Sequence, residues 1–172
     1  TEIAMDTLAH EIAGDRRAKA NVVRLAAAQA LAGANASVVF ATGAILGAMM
    51  APEKSLATAP VSFFVVGMAL GTLPTGYIAR RYGRRASFYV GSLAGALCGA
   101  IAAAAIIVNS FWLYCFATVF GGFYASVAQS YRFAAADGAS IGFRAKAISW
   151  VMAGGVLAGV IGPQLVQATM NL

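Results

Sequence analysis

Five apolar runs, each long enough to cross a lipid bilayer, constrain this chain more than any other feature. They cover approximately residues 25–50, 58–79, 86–108, 111–131 and 147–168. A hydrocarbon core of roughly 30 Å needs about 20 apolar residues in a helix, and open strands would leave backbone groups unpaired in lipid. Because the runs lack the strict alternation of barrel strands, the sequence predicts an all-α, polytopic transmembrane bundle, preceded by a polar segment at 1–24.

The composition supports this prediction. Hydrophobic residues make up 60% of the 172 and charged residues only 10%, and the mean hydropathy is +0.77, which is typical of membrane-embedded chains. The net charge of +6 does not indicate a nucleic-acid partner, because no exposed basic face with interleaved aromatics is present. Cys98 and Cys115 lie inside apolar runs, so we expect free core cysteines. The acid-containing start differs from a secretory signal, which predicts a retained cytoplasmic segment.

Basic residues indicate the orientation of the bundle. If the runs alternate in direction, four basic residues before the first run, four after the second and three around the fourth connection fall on one side, and only Lys54 lies opposite. Short cytoplasmic loops carry the excess of Lys and Arg. The N-terminus is therefore predicted to be cytoplasmic.

The second connection, GYIARRYGRR at 76–85, has a glycine and arginine spacing that topology does not explain. It resembles the G-x-L-A-D-R-x-G-R-R motif that the major facilitator superfamily carries at the same connection. The matching residues are Gly76, Ala79, Arg81, Gly83, Arg84 and Arg85. Arg80 departs from the family, which has an aspartate there. The resemblance runs from about residue 22 to the end.

The resemblance implies a secondary transporter of the bacterial inner membrane that works by alternating access and needs no cofactor. Members have twelve spans in two halves, so this chain resembles five of the six helices of an N-terminal half, with span six and the C-terminal half expected outside it. YRFAAADGAS and the residues after it are similar to a bacterial subgroup of CcoA-like copper importers and riboflavin importers. Import of a small solute, with copper and riboflavin as candidates, is therefore expected.

The same sequence bears on other function classes. From the second run onward Asp137 is the only acidic residue, and no H-E-x-x-H or G-x-S-x-G motif occurs. An enzyme is therefore not expected. A drug or metabolite efflux transporter of the same superfamily and a non-transporting scaffold subunit remain the alternatives.

Polar rows on the first and fourth runs predict a substrate cavity, because polar groups are costly against lipid. The first run has two polar faces that the sequence does not rank: Gln29, Gly33 and Ser37 form one row, and Asn35 shares the other with Thr42. The fourth run carries a row of Tyr114, Thr118, Gly122, Ser126, Gln129 and Arg132. The predicted cavity residues are Gln29, Asn35, Ser37, Thr118, Gln129 and Arg132. Alternatively, the hydroxyls bond to their own helices and the amides to neighbouring ones.

Small residues at four-residue spacing predict close helix packing, which drives association in lipid. The third run has Gly91, Gly95 and Gly99. The fifth run has Gly155, Gly159, Gly162 and Pro163, which resembles the glycine-proline pattern of superfamily members. The second run has Gly67 and Gly71 in an equivalent row.

The sulfur-containing residues do not define a metal site. Copper(I) favours thioether and thiolate ligands, yet the chain has no close M-x-x-M or C-x-x-C pair, and the metal site is therefore unassigned.

Because the motif aspartate is replaced by Arg80, we hypothesise that Asp137 pairs with one or more of the arginines at 80, 81, 84 and 85 and so serves in the conformational motif. The alternative is that anionic lipid headgroups neutralise the cluster.

Overall fold

The structure, a computed structural model, describes residues 2–140 and 142–169, with side chains from Ala18 onward except at 165, 166 and 169. Its helices are α1 (Glu2–Met50), α2 (Ala59–Ile107), α3 (Phe111–Ala128), α4 (Tyr131–Asp137) and α5 (Arg144–Thr169), with a 3-10 turn at Lys54–Leu56. No strand occurs in residues 2–140 or 142–169. The predicted all-α fold is confirmed.

The first helix is longer than a membrane span. It runs for 49 residues without a break, about 74 Å at 1.5 Å per residue. Its apolar part covers Ala18–Met50, so the polar segment predicted at 1–24 continues directly into the first span. Alanine and arginine, both strong helix formers, are frequent around this junction, which gives the helix no reason to end there.

The second helix consists of two antiparallel halves, 59–82 and 84–107, joined at Gly83. Gly83 has φ 85° and ψ 162°, a conformation that is almost restricted to glycine. The first half runs parallel to α3, because Gly67 packs on Val119 and Gly71 on Phe123. The second half runs against α3, because Gly91 packs on Val127 and Gly95 on Tyr124. Gly83, the second glycine of GYIARRYGRR, is therefore the point at which the chain reverses direction.

The third helix lies in the middle of the bundle and is the most buried of the long helices. A tight turn joins it to α2, where Asn109 has φ 51°, a left-handed conformation that asparagine tolerates better than most residues. Thr75 of α2 and Ser126 of α3 share a buried hydrogen bond of 3.3 Å. Together with the contacts that Gly67 and Gly71 make with α3, this hydrogen bond holds the first half of α2 against α3.

The first and fifth helices form a parallel pair. Gly154 packs on Ala26, Gly33 on Ala158, and Gly162 on Ser37. The contacts advance along both helices together, so α1 and α5 run in the same direction. In the described part of the chain, four helices are long and apolar enough to cross a membrane, and the one bent at Gly83 contains two antiparallel segments. The fold is therefore the predicted transmembrane bundle of five membrane-length segments.

Candidate functional site

A cavity of about 240 Å³, with three polar side chains in its wall, lies where α1, α5, the end of α3 and the start of α4 meet. Its walls are Gln29, Gln129, Arg132, Val151, Met152, Gly155 and Val156. Three of the six predicted cavity residues are therefore brought together. Four of the seven wall residues belong to α5, which the sequence did not indicate as a cavity helix.

Gln29 enters the cavity from α1 beside a small residue of α5. A Cβ atom on Gly155 would lie 3.6 Å from both Cγ and Nε2 of Gln29. Glycine at this position therefore lets the two helices approach until the amide of Gln29 lies at the cavity wall. This contact joins Gly155, which was predicted to pack helices, and Gln29, which was predicted to line the cavity.

Gln129 caps the end of α3, and Arg132 lies in the first turn of α4. The Gln129 N–H donates to the Ala125 carbonyl at 3.1 Å and its side chain is exposed. The Arg132 guanidinium carbon lies 5.0 Å from the centre of the Phe133 ring. Its Nε is buried and has no hydrogen-bond partner among the described residues. Because a buried donor without a partner is costly, Arg132 is suited to a ligand that supplies an acceptor.

Thr118 and Ser37 lie elsewhere. Thr118 is 2% exposed and its hydroxyl donates to the Cys115 carbonyl at 2.7 Å, so it is packed inside the bundle and not beside Gln29; its cavity role stays a prediction. The Ser37 hydroxyl donates to the Gly33 carbonyl at 3.1 Å, and Ser37 faces Gly162 in the α1–α5 seam. In this structure α5 covers that part of the row.

Asn35 is half-buried on the second polar face of α1. Seven residues further on, and within about 20° on the helix, Thr42 shares a hydrogen bond of 3.4 Å with the Tyr114 hydroxyl of α3. This face is therefore directed toward α3, and Asn35 is not among the residues around the Gln29 cavity. The cavity role of Asn35 stays a prediction.

The predicted packing glycines divide into two groups. Gly91, Gly95, Gly155 and Gly162 meet neighbouring helices closely, as predicted. Gly99 and Gly159 do not, since a Cβ atom at either would meet nothing within 4 Å in the described part of the chain. Both glycines are exposed, as is Pro163, and their packing role stays a prediction. Gly122, predicted as part of a polar row, instead packs against the backbone of Phe64.

The arginine cluster at the Gly83 turn has one acidic partner among the described side chains. Arg84 Nη2 forms an ion pair with Asp137 Oδ2 at the end of α4, which is one of the pairings hypothesised from the sequence; its role in the conformational motif stays a prediction. Arg81 donates instead to the Tyr77 hydroxyl at 3.0 Å. Arg80 and Arg85 are exposed, and a Cβ atom on Gly76 would contact nothing within 4 Å.

Metal-binding groups are sparse in the described residues. Cys98 and Cys115 are free and buried, as predicted. Within residues 2–140 and 142–169, side chains included only where described, no group of three His, Cys, Asp or Glu could hold a metal. Met152 is the one thioether in the cavity wall.

The chain resembles known proteins along most of its length. It matches the family described as Sugar (and other) transporter over residues 3–172. It is 48% identical over 149 residues to the riboflavin transporter RfnT of Brucella anthropi, a match that covers 87% of this chain and 37% of that protein. It is also 34% identical over 140 residues to an uncharacterized MFS-type transporter, YdeG of Bacillus subtilis, covering 80% of this chain and 32% of that protein.

The chain thus spans about a third of the length of the curated relatives it matches. No solved structure matches it.

Proposed function

Because the chain belongs to the Sugar (and other) transporter family of the major facilitator superfamily, we propose that the whole protein is a secondary transporter of riboflavin or a close flavin relative. It moves this solute across the bacterial inner membrane by alternating access of two halves around a central site. The observation that carries the proposal is the 48% identity to a riboflavin transporter over 87% of the chain.

The chemistry of the cavity supports a flavin. The ring system of riboflavin has one edge with two carbonyl oxygens and an N–H between them, and broad apolar faces. Gln29 and Gln129 each offer an amide that donates and accepts, and Arg132 offers donors to carbonyl oxygens. The side chains of Val151, Met152 and Val156 provide apolar contact for a ring face.

The size of the cavity supports a site shared between two halves. Its volume of about 240 Å³ is below the roughly 300–1,000 Å³ of typical small-molecule sites. The described residues therefore form one wall of the proposed site, and the remaining walls come from the rest of the protein.

Copper is the second candidate solute, and one observation favours it. The thioether of Met152 lies in the same wall, and thioethers suit copper(I). A single sulfur is a poor copper site, so copper would require further soft ligands from beyond the described residues. Flavin is the better proposal because amide and guanidinium groups outnumber sulfur in this wall.

Uptake by whole cells tests the proposal. The full-length protein is expressed in bacteria that need external riboflavin and lack their own carrier, and initial uptake of labelled riboflavin and of copper is measured. We expect saturable riboflavin uptake that is inhibited by lumiflavin, which has the ring system without the ribityl chain, and not by ribitol. Riboflavin uptake no greater than in cells without the protein, with the protein present in the membrane, would contradict the proposal. Faster loss of preloaded riboflavin would indicate export instead of the proposed import.

The orientation is part of the proposal. The N-terminus and the Gly83 turn lie in the cytoplasm, and the turn around Lys54 lies on the outer side. A membrane-impermeant thiol reagent should therefore label Lys54→Cys and not Arg80→Cys in intact spheroplasts. The reverse pattern would show the opposite orientation.

A further inference from the structure

A second cavity, of about 430 Å³, lies between the two halves of α2 and α3. Its walls are apolar and include Leu70, Pro74, Val90, Leu93 and Phe123. Leu93 is 62% exposed, so the cavity is a groove that opens sideways from the bundle. It does not share a residue with the Gln29 cavity.

One end of this groove points toward the basic turn at Gly83. Arg81 follows Pro74 by seven residues, so it lies on the same face of the helix within about 20° and about 10 Å further along the axis. Arg81 donates one hydrogen bond to Tyr77, which leaves four of its five N–H groups for another acceptor. Asp137 pairs with Arg84, not with Arg81.

Aromatic residues mark the level of Arg81 as a membrane interface. Tyr77 and Tyr82 are both exposed, and the guanidinium carbon of Arg81 lies 5.8 Å from the centre of the Tyr82 ring. Tyrosine is enriched where hydrocarbon meets the polar headgroups. The basic end of the groove therefore lies at headgroup level and its apolar part at acyl-chain level.

We propose that the groove and Arg81 together bind one anionic glycerophospholipid. Its phosphate accepts hydrogen bonds from Arg81 and the Tyr77 hydroxyl, and an acyl chain lies between the two halves of α2. The groove extends from Pro74 to Gly67, about 10 to 21 Å from Arg81 along the helix. One leaflet of hydrocarbon is roughly 15 Å thick, so a chain attached to a phosphate at Arg81 reaches this depth.

Charge decides between an anionic lipid and a neutral one. Arg80 and Arg85 flank Arg81 and are also exposed, and no acidic side chain other than Asp137 occurs in the second half of the sequence. An anionic headgroup supplies the missing negative charge, and each arginine near an anionic surface strengthens binding by about fivefold. The site is independent of the transported solute, so it goes beyond the proposed function.

The test uses the full-length protein in mild detergent with equal amounts of phosphatidylglycerol and phosphatidylcholine, and native mass spectrometry to count the retained lipids. We expect one preferentially retained phosphatidylglycerol. Arg81→Gln should lower its retention about fivefold, whereas Lys146→Gln, which removes an exposed charge on the same predicted side, should leave it unchanged. Leu93→Trp should fill the groove and lower retention of both lipids, while Val160→Trp at an exposed position of α5 should not.

Two results would overturn the proposal. Equal losses in Arg81→Gln and Lys146→Gln would show general attraction of the basic side for anionic lipid. A photoactivatable group at Leu93 that cross-links to another part of the chain, and not to lipid, would show that protein covers the groove. Circular dichroism and gel filtration of each variant establish that it is folded before its lipids are counted.

Discussion

At the scale of single residues, neighbours in one predicted row have different environments. Gln29 and Ser37 lie on the same face of α1, yet Gln29 lines the polar cavity and Ser37 packs against Gly162. Both residues lie against α5, but Gly155 leaves the Gln29 side chain at the cavity wall, whereas Gly162 packs directly on Ser37. Helical periodicity predicts which side chains share a face, but it contains no information about where a neighbouring helix crosses that face.

The Arg84–Asp137 ion pair gives a prediction about conformation. The two side chains are 37% and 61% exposed, and exposed pairs contribute less than about 1 kcal/mol. Asp137→Asn should therefore leave the unfolding temperature nearly unchanged, yet shift the balance between inward-open and outward-open states by up to about fivefold. Distances between spin labels on the two halves of the full-length protein measure this balance.

The matched control for this prediction is Arg85→Gln, which removes an exposed charge from the same turn. It should leave the balance unchanged, and Arg84→Gln combined with Asp137→Asn should have no greater effect than either alone. An equal shift in Arg85→Gln would indicate that total charge matters and that the pair does not. The sequence predicted a partner for Asp137 because the two connections share one side, but the choice of Arg84 depends on how α2 leaves Gly83.

At the scale of helices, the reversal of α2 depends on one glycine. Gly83 has a positive φ, which costs a residue with a side chain about 1–3 kcal/mol. A Cβ atom there would meet nothing within 4 Å, so the cost is conformational and not steric. Gly83→Ala should lower the unfolding free energy of the full-length protein by this amount, as measured by titration with a denaturing detergent.

Gly99→Ala is the control, because Gly99 lies in the second half of α2 and is equally open. It should be neutral or slightly stabilising, since alanine favours a helix more than glycine. Similar losses in both variants would show that the turn does not require glycine. The sequence motif indicated that Gly83 matters but could not reveal its φ.

The contact between α1 and α5 allows a second prediction, which compares substitutions at two glycines of α5. A Cβ atom on Gly154 would overlap the carbonyl oxygen of Ala26, and overpacking of this kind costs about 1–3 kcal/mol. Gly154→Ala should therefore destabilise the protein. Gly159→Ala should not, because its Cβ atom would be free of contacts in the described structure.

Unfolding of the two purified variants in denaturing detergent distinguishes these outcomes. If Gly159→Ala were as destabilising as Gly154→Ala, α5 would have to contact further protein beyond the described helices. The four-residue spacing predicted a seam along α5 correctly. It could not give the rotation of the helix, which is why Gly154 was not predicted and Gly159 was.

At the scale of the whole molecule, the sequence predicted the architecture better than the site. The apolar runs determine an all-α bundle because lipid allows few alternatives, and the motif at 76–85 identified the superfamily. The cavity was predicted less well, because four of its walls are residues of α5, among them Val151 and Met152, that carry no polar signal. The chain spans about a third of the length of its relatives, so the proposed site includes walls that these helices alone do not form.

Binding of riboflavin to the purified full-length protein tests the central claim most directly, because quenching of flavin fluorescence gives a Kd without transport. A lost hydrogen bond costs about 0.5–1.5 kcal/mol, so Gln29→Leu and Gln129→Leu should each raise the Kd about 2- to 10-fold. Ser37→Ala, in the packing seam, should leave it unchanged. An unchanged Kd in both folded glutamine variants would contradict the assignment of the Gln29 cavity as the flavin site, and no quenching by the unaltered protein would contradict riboflavin as the solute.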